Sequence, residues 1–166
     1  MLEIRTAMPE DAARLLAYLN QIGGESDNLL FGANEMNISV EREAAYIQSV
    51  SEMPNSVMLI GLLDGDVVSV GSIQGFGRPR IAHRGSVAIS VGKAHWGQGI
   101  GTRMLQALLD FSREAGLEIL ELEVRSDNAS AIRLYEKLGF RKFGTYPGFF
   151  RIRGQYYDAD YMTLEL

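Results

Sequence analysis

The chain has 166 residues, 46% of them hydrophobic and 22% charged, which is typical of one soluble globular domain and predicts a single domain over 1–166. It has no cysteine, which excludes disulfides and a cysteine nucleophile, and its two histidines predict no metal site. The net charge of −5 argues against nucleic-acid binding, and no apolar run approaches the ~20 residues of a membrane span. No signal peptide is visible, so we expect a cytoplasmic protein.

The first half of the chain predicts a strand, two helices and a β-hairpin. A strand at 2–7 leads into a helix that begins near Pro9 and ends at Gly23. The segment 24–38 has no clear period and predicts a loop, after which Ser39 caps a helix over 40–52. Asp64-Gly65 separates two apolar runs, a strong signal of a type I′ hairpin turn; the runs are 57–63 and 66–76.

The second half alternates strands and helices before a final hairpin. The predicted segments are a strand at 84–92, a helix from the glycine-rich loop to about Ala115, a strand at 117–124, a helix from about Asn128 to Leu138, and two strands turned near Arg153-Gly154. The order is β-α-α-β-β-β-α-β-α-β-β. It predicts an α/β (α+β) fold with a mixed, mostly antiparallel sheet of about seven strands and helices on both faces.

A glycine-rich loop lies between a strand and a helix, with Gly97, Gly99 and Gly101 at alternate positions. Free backbone N–H groups and the positive end of a helix dipole form an anion site in such a turn. We therefore expect a phosphate-bearing ligand at 96–102. Rossmann and Walker patterns both fail here, because Thr102 and Gln98 stand where those motifs require other residues, and a plain tight turn remains the alternative.

A second motif lies one strand and one helix downstream, NASAIRLYEKLGF at 128–140. Together with WGQGIG at 96–101 it resembles the GNAT superfamily of N-acetyltransferases, in which the glycine loop holds the pyrophosphate of an acyl-CoA. The resemblance covers roughly 87–140, and the predicted strand order is similar to the fold of that family. One departure is Trp96, where the family usually has Gln or Arg; the resemblance implies that this position contacts phosphate through its backbone.

The resemblance implies a role for each matched position. The strand before the loop pairs its backbone with the pantetheine arm of acetyl-CoA, the loop binds pyrophosphate, and the following helix contacts the pantetheine and the sulfur. The implied cofactor-binding residues are Ile89, Ser90, Val91, Trp96, Gly97, Gln98, Gly99, Ile100, Gly101, Thr102, Asn128, Ala131 and Tyr135.

Acyl transfer to an amine needs a base for the amine proton and an acid for the leaving thiolate, with a backbone N–H of the fourth strand stabilising the oxyanion. Tyr135 is the predicted acid, although on its own it also fits a core aromatic. His83 is the predicted base, with a surface histidine as the alternative reading. Glu121 and Glu123 could act through water, or form the solvated face of a strand.

We therefore predict an acetyl-CoA-dependent N-acetyltransferase that works by direct transfer, with a non-catalytic acyl-CoA sensor as the alternative. The acceptor is a small amine, an amino acid or a protein N-terminus, and the resemblance also implies a homodimer. Two groups of side chains could form the acceptor site. The acidic group is Glu25, Asp27 and Glu35, and the aromatic group is Tyr146, Phe149, Phe150, Tyr156 and Tyr157.

Overall fold

A computed structural model describes all 166 residues and contains one seven-stranded sheet with four α-helices. The strand order across the sheet is β1-β2-β3-β4-β5-β7-β6. The strands are β1 (Glu3–Thr6), β2 (Val57–Leu63), β3 (Asp66–Gly75), β4 (Arg84–Val91), β5 (Ile119–Arg125), β6 (Arg141–Ile152) and β7 (Gln155–Glu165). Every neighbouring pair is antiparallel except β4 and β5, which confirms the mixed, mostly antiparallel sheet.

Both predicted tight turns are present. Asp64 and Gly65 have φ angles of 52° and 92°, and Arg153 and Gly154 have φ angles of 48° and 80°. Positive φ at both central residues is the signature of a type I′ turn, whose twist matches that of the strands it joins. These turns set the registers of the β2–β3 and β6–β7 hairpins.

The helices are α1 (Ala12–Ile22), α2 (Val40–Ser51), α3 (Ile100–Glu114) and α4 (Ala129–Lys137). The predicted cap of α2 is formed, since Ser39 Oγ accepts a hydrogen bond from the Arg42 N–H at 3.2 Å. Residues 24–38 form no helix or strand, as predicted. Two short 3₁₀ turns were not predicted, Pro9–Asp11 and Lys93–His95.

The sheet buries apolar side chains on both faces. Alternate residues of β2 divide between the two layers: Leu59 packs into the layer beneath α3 and α4, and Ile60 into the layer beneath α1 and α2. The first layer includes Met104, Leu105 and Leu108 of α3, and the second includes Leu15 and Ile47. This two-sided burial explains why β2 reads as an unbroken apolar run. No helix has the length and apolar character needed to cross a membrane.

A buried ion-pair cluster joins β1 to the start of α1. Asp11 is 0% exposed, and its carboxylate accepts hydrogen bonds from two Arg5 nitrogens at 2.7 and 2.9 Å. Arg14 lies 2.5 Å from the same carboxylate, and the Met8 N–H donates to it at 2.8 Å. The hydrogen bond from Arg5 lowers the pKa of Asp11 to about 2.

Candidate active site between two splayed strands

The parallel strands β4 and β5 pair only at one end. Arg84, Gly85 and Ser86 pair with residues 119–121, and beyond Ser86 the two strands are no longer paired with each other. A cavity of about 630 Å³ opens where they separate, and it is lined by residues 87–91 of β4 and by Glu123 and Val124 of β5. The gap leaves room beside β4 for an extended ligand, the arrangement that the resemblance implies for the strand before the glycine loop.

The edge of β4 that faces the gap presents alternate backbone groups. The Gly92 N–H donates to the Val68 carbonyl of β3 at 2.9 Å, and successive residues of a strand point to opposite sides. The backbone groups of Ile89 and Val91 therefore point away from β3, toward the gap. The Val91 carbonyl already accepts a hydrogen bond from Trp96 Nε1 at 2.8 Å. Ser90 also lines the gap, and its hydroxyl lies 3.1 Å from the Tyr18 hydroxyl.

The glycine loop exposes a run of backbone donors. The six N–H groups from Gly97 to Thr102 donate to no other protein group. Gly97 and Gly99 have φ angles of 75° and 77°, a conformation that other residues rarely adopt, and both border open space. Gly101 has a different role, because a Cβ there would lie 3.1 Å from Leu134 of α4. The loop is thus built to hold an anion at the N-terminus of α3.

Two loop residues differ from expectation. The Trp96 N–H donates to the Lys93 carbonyl at 3.2 Å, so it does not join the run of free donors, and Trp96 acts in the loop through its indole. Gln98 is the one predicted cofactor-binding residue that does not line the cavity, because its side chain folds back to donate to the Ala94 carbonyl at 3.2 Å. The other predicted cofactor-binding residues all line it.

The start of α4 forms the third wall. Asn128 Oδ1 accepts a hydrogen bond from the Ala131 N–H at 3.3 Å, which caps the helix. The side-chain NH₂ group of Asn128 has no protein partner. Ala131 and Tyr135 follow on the same face of α4 and also line the cavity.

Tyr135 lies with its ring in the core and its hydroxyl toward the cavity. The residue is 7% exposed, and its ring packs edge-on against Phe140 at a centroid distance of 5.7 Å. The hydroxyl makes no hydrogen bond with the protein, yet it is not sealed from the cavity. Burial, and secondly the charge of Glu123, raise the pKa of Tyr135 to about 12. The phenol is therefore protonated at neutral pH and free to donate.

The two glutamates of β5 have different surroundings. Glu121 forms an ion pair with Arg84 where β4 and β5 are still paired. Glu123 lies two residues further along, at the open part of the gap, and has no hydrogen-bond or ion-pair partner in the protein. Glu123 is thus a carboxylate available to a ligand.

The structure does not bring His83 into the cavity. His83 precedes β4 at the closed end of the gap, where its carbonyl accepts the N–H groups of Glu118 and Ile119 at 2.8 and 3.2 Å. The paired residues 84–86 separate it from the cavity wall. The prediction of His83 as the base is therefore not supported by its position.

The loop 24–38 covers one side of the gap. Leu29, Leu30 and Phe31 line the cavity, together with Phe150 from β6. Of the acidic residues predicted to bind an amine, Glu25 lines the cavity and Asp27 pairs with Arg153, while Glu35 lies outside. Of the aromatic residues predicted for the acceptor site, Phe150 lines the cavity and Tyr146, Phe149, Tyr156 and Tyr157 do not.

Two structural features of the site have no counterpart among the sequence predictions. Arg125, which is 8% exposed, binds the loop 24–38 by donating to the Asp27 carbonyl at 3.1 Å, and nothing local in the sequence marks it as buried. The apolar run Leu29–Phe31 is a signal that could have been noticed, because three consecutive apolar residues are unusual in an otherwise irregular polar segment.

Comparisons with known proteins point to one family. Residues 28–140 match the model of the acetyltransferase (GNAT) family. The L-methionine sulfoximine/L-methionine sulfone acetyltransferase of Pseudomonas aeruginosa is 28% identical over 98% of this chain and 94% of its own length. The N-alpha-acetyltransferase RimI of Mycobacterium tuberculosis is 37% identical over 54% of this chain and 55% of its own length. A solved acetyltransferase of the GNAT family from Streptococcus pneumoniae has a TM-score of 0.97 at 28% identity, with all of both chains covered.

Proposed function

The chain belongs to the acetyltransferase (GNAT) family, and on that premise we propose that it transfers an acetyl group from acetyl-CoA to a primary amine by direct attack in a ternary complex. One observation carries the proposal: a loop with six unpaired N–H groups and a free phenol line the same cavity between β4 and β5. The names of the relatives refer to amino-acid-type and protein N-terminal acceptors, which supports a primary amine as the acceptor of this chain.

The donor binds along the gap. The N–H groups of residues 97–102 hold the pyrophosphate, because a run of aligned donors at a helix N-terminus favours anions. The pantetheine arm lies beside β4 and forms hydrogen bonds with the gap-facing backbone groups of Ile89, since an extended chain pairs with an open strand edge. The Val91 carbonyl is shared with the Trp96 indole, which holds the loop against the strand. Asn128 presents its free amide group to the same arm.

The amine must lose a proton to attack the thioester, because a free alkylamine has a pKa of ~10.4. Glu123 is the carboxylate in the cavity without a protein partner, so it receives this proton directly or through a water molecule. Glu121 is excluded from the role by its ion pair with Arg84.

Tyr135 assists departure of the sulfur. A thiol has an ordinary pKa of ~8.5, well below the pKa of about 12 that burial gives to Tyr135. Full transfer of the phenolic proton is therefore uphill, and the main contribution of Tyr135 is a hydrogen bond to the negative charge that develops on sulfur. The high pKa keeps this donor protonated at neutral and moderately alkaline pH.

The test is the release of CoA thiol from acetyl-CoA over a panel of primary amines, for the wild-type chain and Tyr135→Phe. We expect kcat to fall about 100-fold, as is typical for loss of one hydrogen-bond donor to a developing negative charge, with the Kd for acetyl-CoA within about twofold. The melting temperature should not change, because the hydroxyl has no protein partner. Equal turnover would assign Tyr135 to packing, and a wild-type chain that binds no acetyl-CoA would overturn the proposed function.

A further inference from the structure

The cavity wall carries two carboxylates. Glu25 accepts hydrogen bonds from the Lys93 N–H at 2.7 Å and from Gln21 Nε2 at 2.8 Å, and the Lys93 N–H lowers the pKa of Glu25. Glu123 has no protein partner, and its charge acts on Tyr135. The other titratable side chains in the wall are those of His95 and Tyr135, and no lysine or arginine side chain lines the cavity. The field around the unpaired Glu123 carboxylate therefore favours a cation, whereas the field at the N–H groups of the glycine loop favours an anion.

The two guanidinium groups that reach the loop 24–38 are already paired. Arg125 donates to both carboxylate oxygens of Asp127 at 2.8 and 2.6 Å and to the Asp27 carbonyl, and it stacks over the Tyr157 ring at 3.9 Å. Arg153 pairs with the Asp27 carboxylate. A carboxylate on the acceptor would have to break one of these pairs to gain a cation, and otherwise would enter the cavity unpaired, which is costly.

The loop 24–38 and β6 add an apolar patch to the acceptor side, beside the polar residues Ser26 and Asn28. Leu29, Leu30 and Phe31 of the loop and Phe150 of β6 form this patch, and Leu30 is 69% exposed at the rim. An apolar substituent on the acceptor would cover these side chains and remove them from water.

We infer that the acceptor is a cationic amine with an apolar substituent and no free carboxylate on the carbon next to the nitrogen, rather than a free amino acid. This inference rests on the proposed function, because it concerns the acceptor of the same cavity. L-Leucinamide is the simplest model of such an amine, and L-leucine is its matched counterpart, which differs only in carrying the carboxylate.

The first measurement is kcat/KM for both compounds with the full chain and acetyl-CoA. It is made at about pH 10, where both α-amines are largely unprotonated and Tyr135 still holds its proton. We expect L-leucinamide to be preferred at least about tenfold, since a carboxylate left unpaired beside a carboxylate is strongly disfavoured.

The second measurement is calorimetric binding at about pH 6.5, where both α-amines are protonated, of each compound to the CoA complex of three proteins: the wild type, Glu123→Gln and the control Glu121→Gln. Loss of the Glu123 charge should lower the ratio of amide to acid affinity at least about fivefold, because the amide loses an attraction and the acid also loses a repulsion. Glu121 lies on the same strand but outside the cavity, so its variant should leave the ratio unchanged. Differences between the solution pKa values of the two amines cancel in this comparison.

Faster acetylation of L-leucine than of L-leucinamide, or an unchanged affinity ratio in Glu123→Gln, would overturn the inference and leave the proposed function standing. An equal fall of the ratio in both variants would also overturn it. A chain that binds no acetyl-CoA would overturn the proposed function itself, and this inference with it.

Discussion

The open space beside Gly99 allows a charge to be placed on the glycine loop without a steric clash. Gly99 has a φ angle of 77°, and a Cβ built there meets no atom within 4 Å. We compare Gly99→Asp with Gly99→Asn, because Asn and Asp tolerate this backbone conformation better than other side chains do. Both variants carry the same strain of about 1–2 kcal/mol, so any difference between them comes from the charge.

The size of the charge effect follows from the proposed position of the pyrophosphate on the N–H groups of residues 97–102. A carboxylate about 5 Å from one phosphate charge, at an effective dielectric constant of about 20, is repelled by about 3 kcal/mol. This corresponds to roughly a 200-fold difference in the Kd for CoA between the two variants. The difference should shrink as salt is added, because mobile ions screen charges near the surface.

The assay is isothermal titration of CoA into each variant at low and high salt, with thermal melts as the check on folding. We expect the Asn variant to bind CoA more weakly than the wild type, and the Asp variant to bind far more weakly still. Equal Kd values for the Asp and Asn variants would show that no phosphate lies against the loop, and the assignment of residues 97–102 would be refuted.

Two further predictions concern ion pairs and hydrogen bonds outside the loop. Glu25→Ala removes the acceptor of the Lys93 N–H next to the glycine loop, so we expect the Kd for CoA to rise about tenfold. Glu25→Gln keeps an acceptor oxygen, so its Kd for CoA should stay within about twofold of the wild-type value. Equal titration curves for the two variants would contradict this. In the folded protein the pKa of Asp11 is about 2, below its ordinary value of 3.8. The ionised carboxylate therefore stabilises the folded state by about 2 kcal/mol. This stabilisation is complete above pH 3.8 and is lost as the pH falls through about 2. Urea unfolding of the wild type and Asp11→Asn should therefore differ most near neutral pH and converge in acid, and a gap that persists at about pH 2 would contradict the assignment.

Local patterns in the sequence were sufficient to predict the elements and their order. Apolar periodicity predicted the strands and α-helices, Asp64-Gly65 predicted its hairpin, and Ser39 predicted its helix cap. These features depend on residues within a few positions of one another, so the sequence carries them directly. The same holds for the glycine loop, whose free N–H groups follow from its place between a strand and a helix.

The tertiary structure decided which of these residues share a site. Glu121 and Glu123 are indistinguishable in the sequence as alternate residues of one strand, and their roles diverge because the pairing of β4 with β5 stops between them. Because the pairing of β4 with β5 ends there, His83 lies at the closed end of the gap and Tyr135 lies at its open end. The register between distant strands, and the contact of Arg125 with the Asp27 carbonyl 98 positions away, depend on residues that are far apart in the sequence. Such contacts are fixed only when the whole chain packs, because no short stretch of sequence contains both partners.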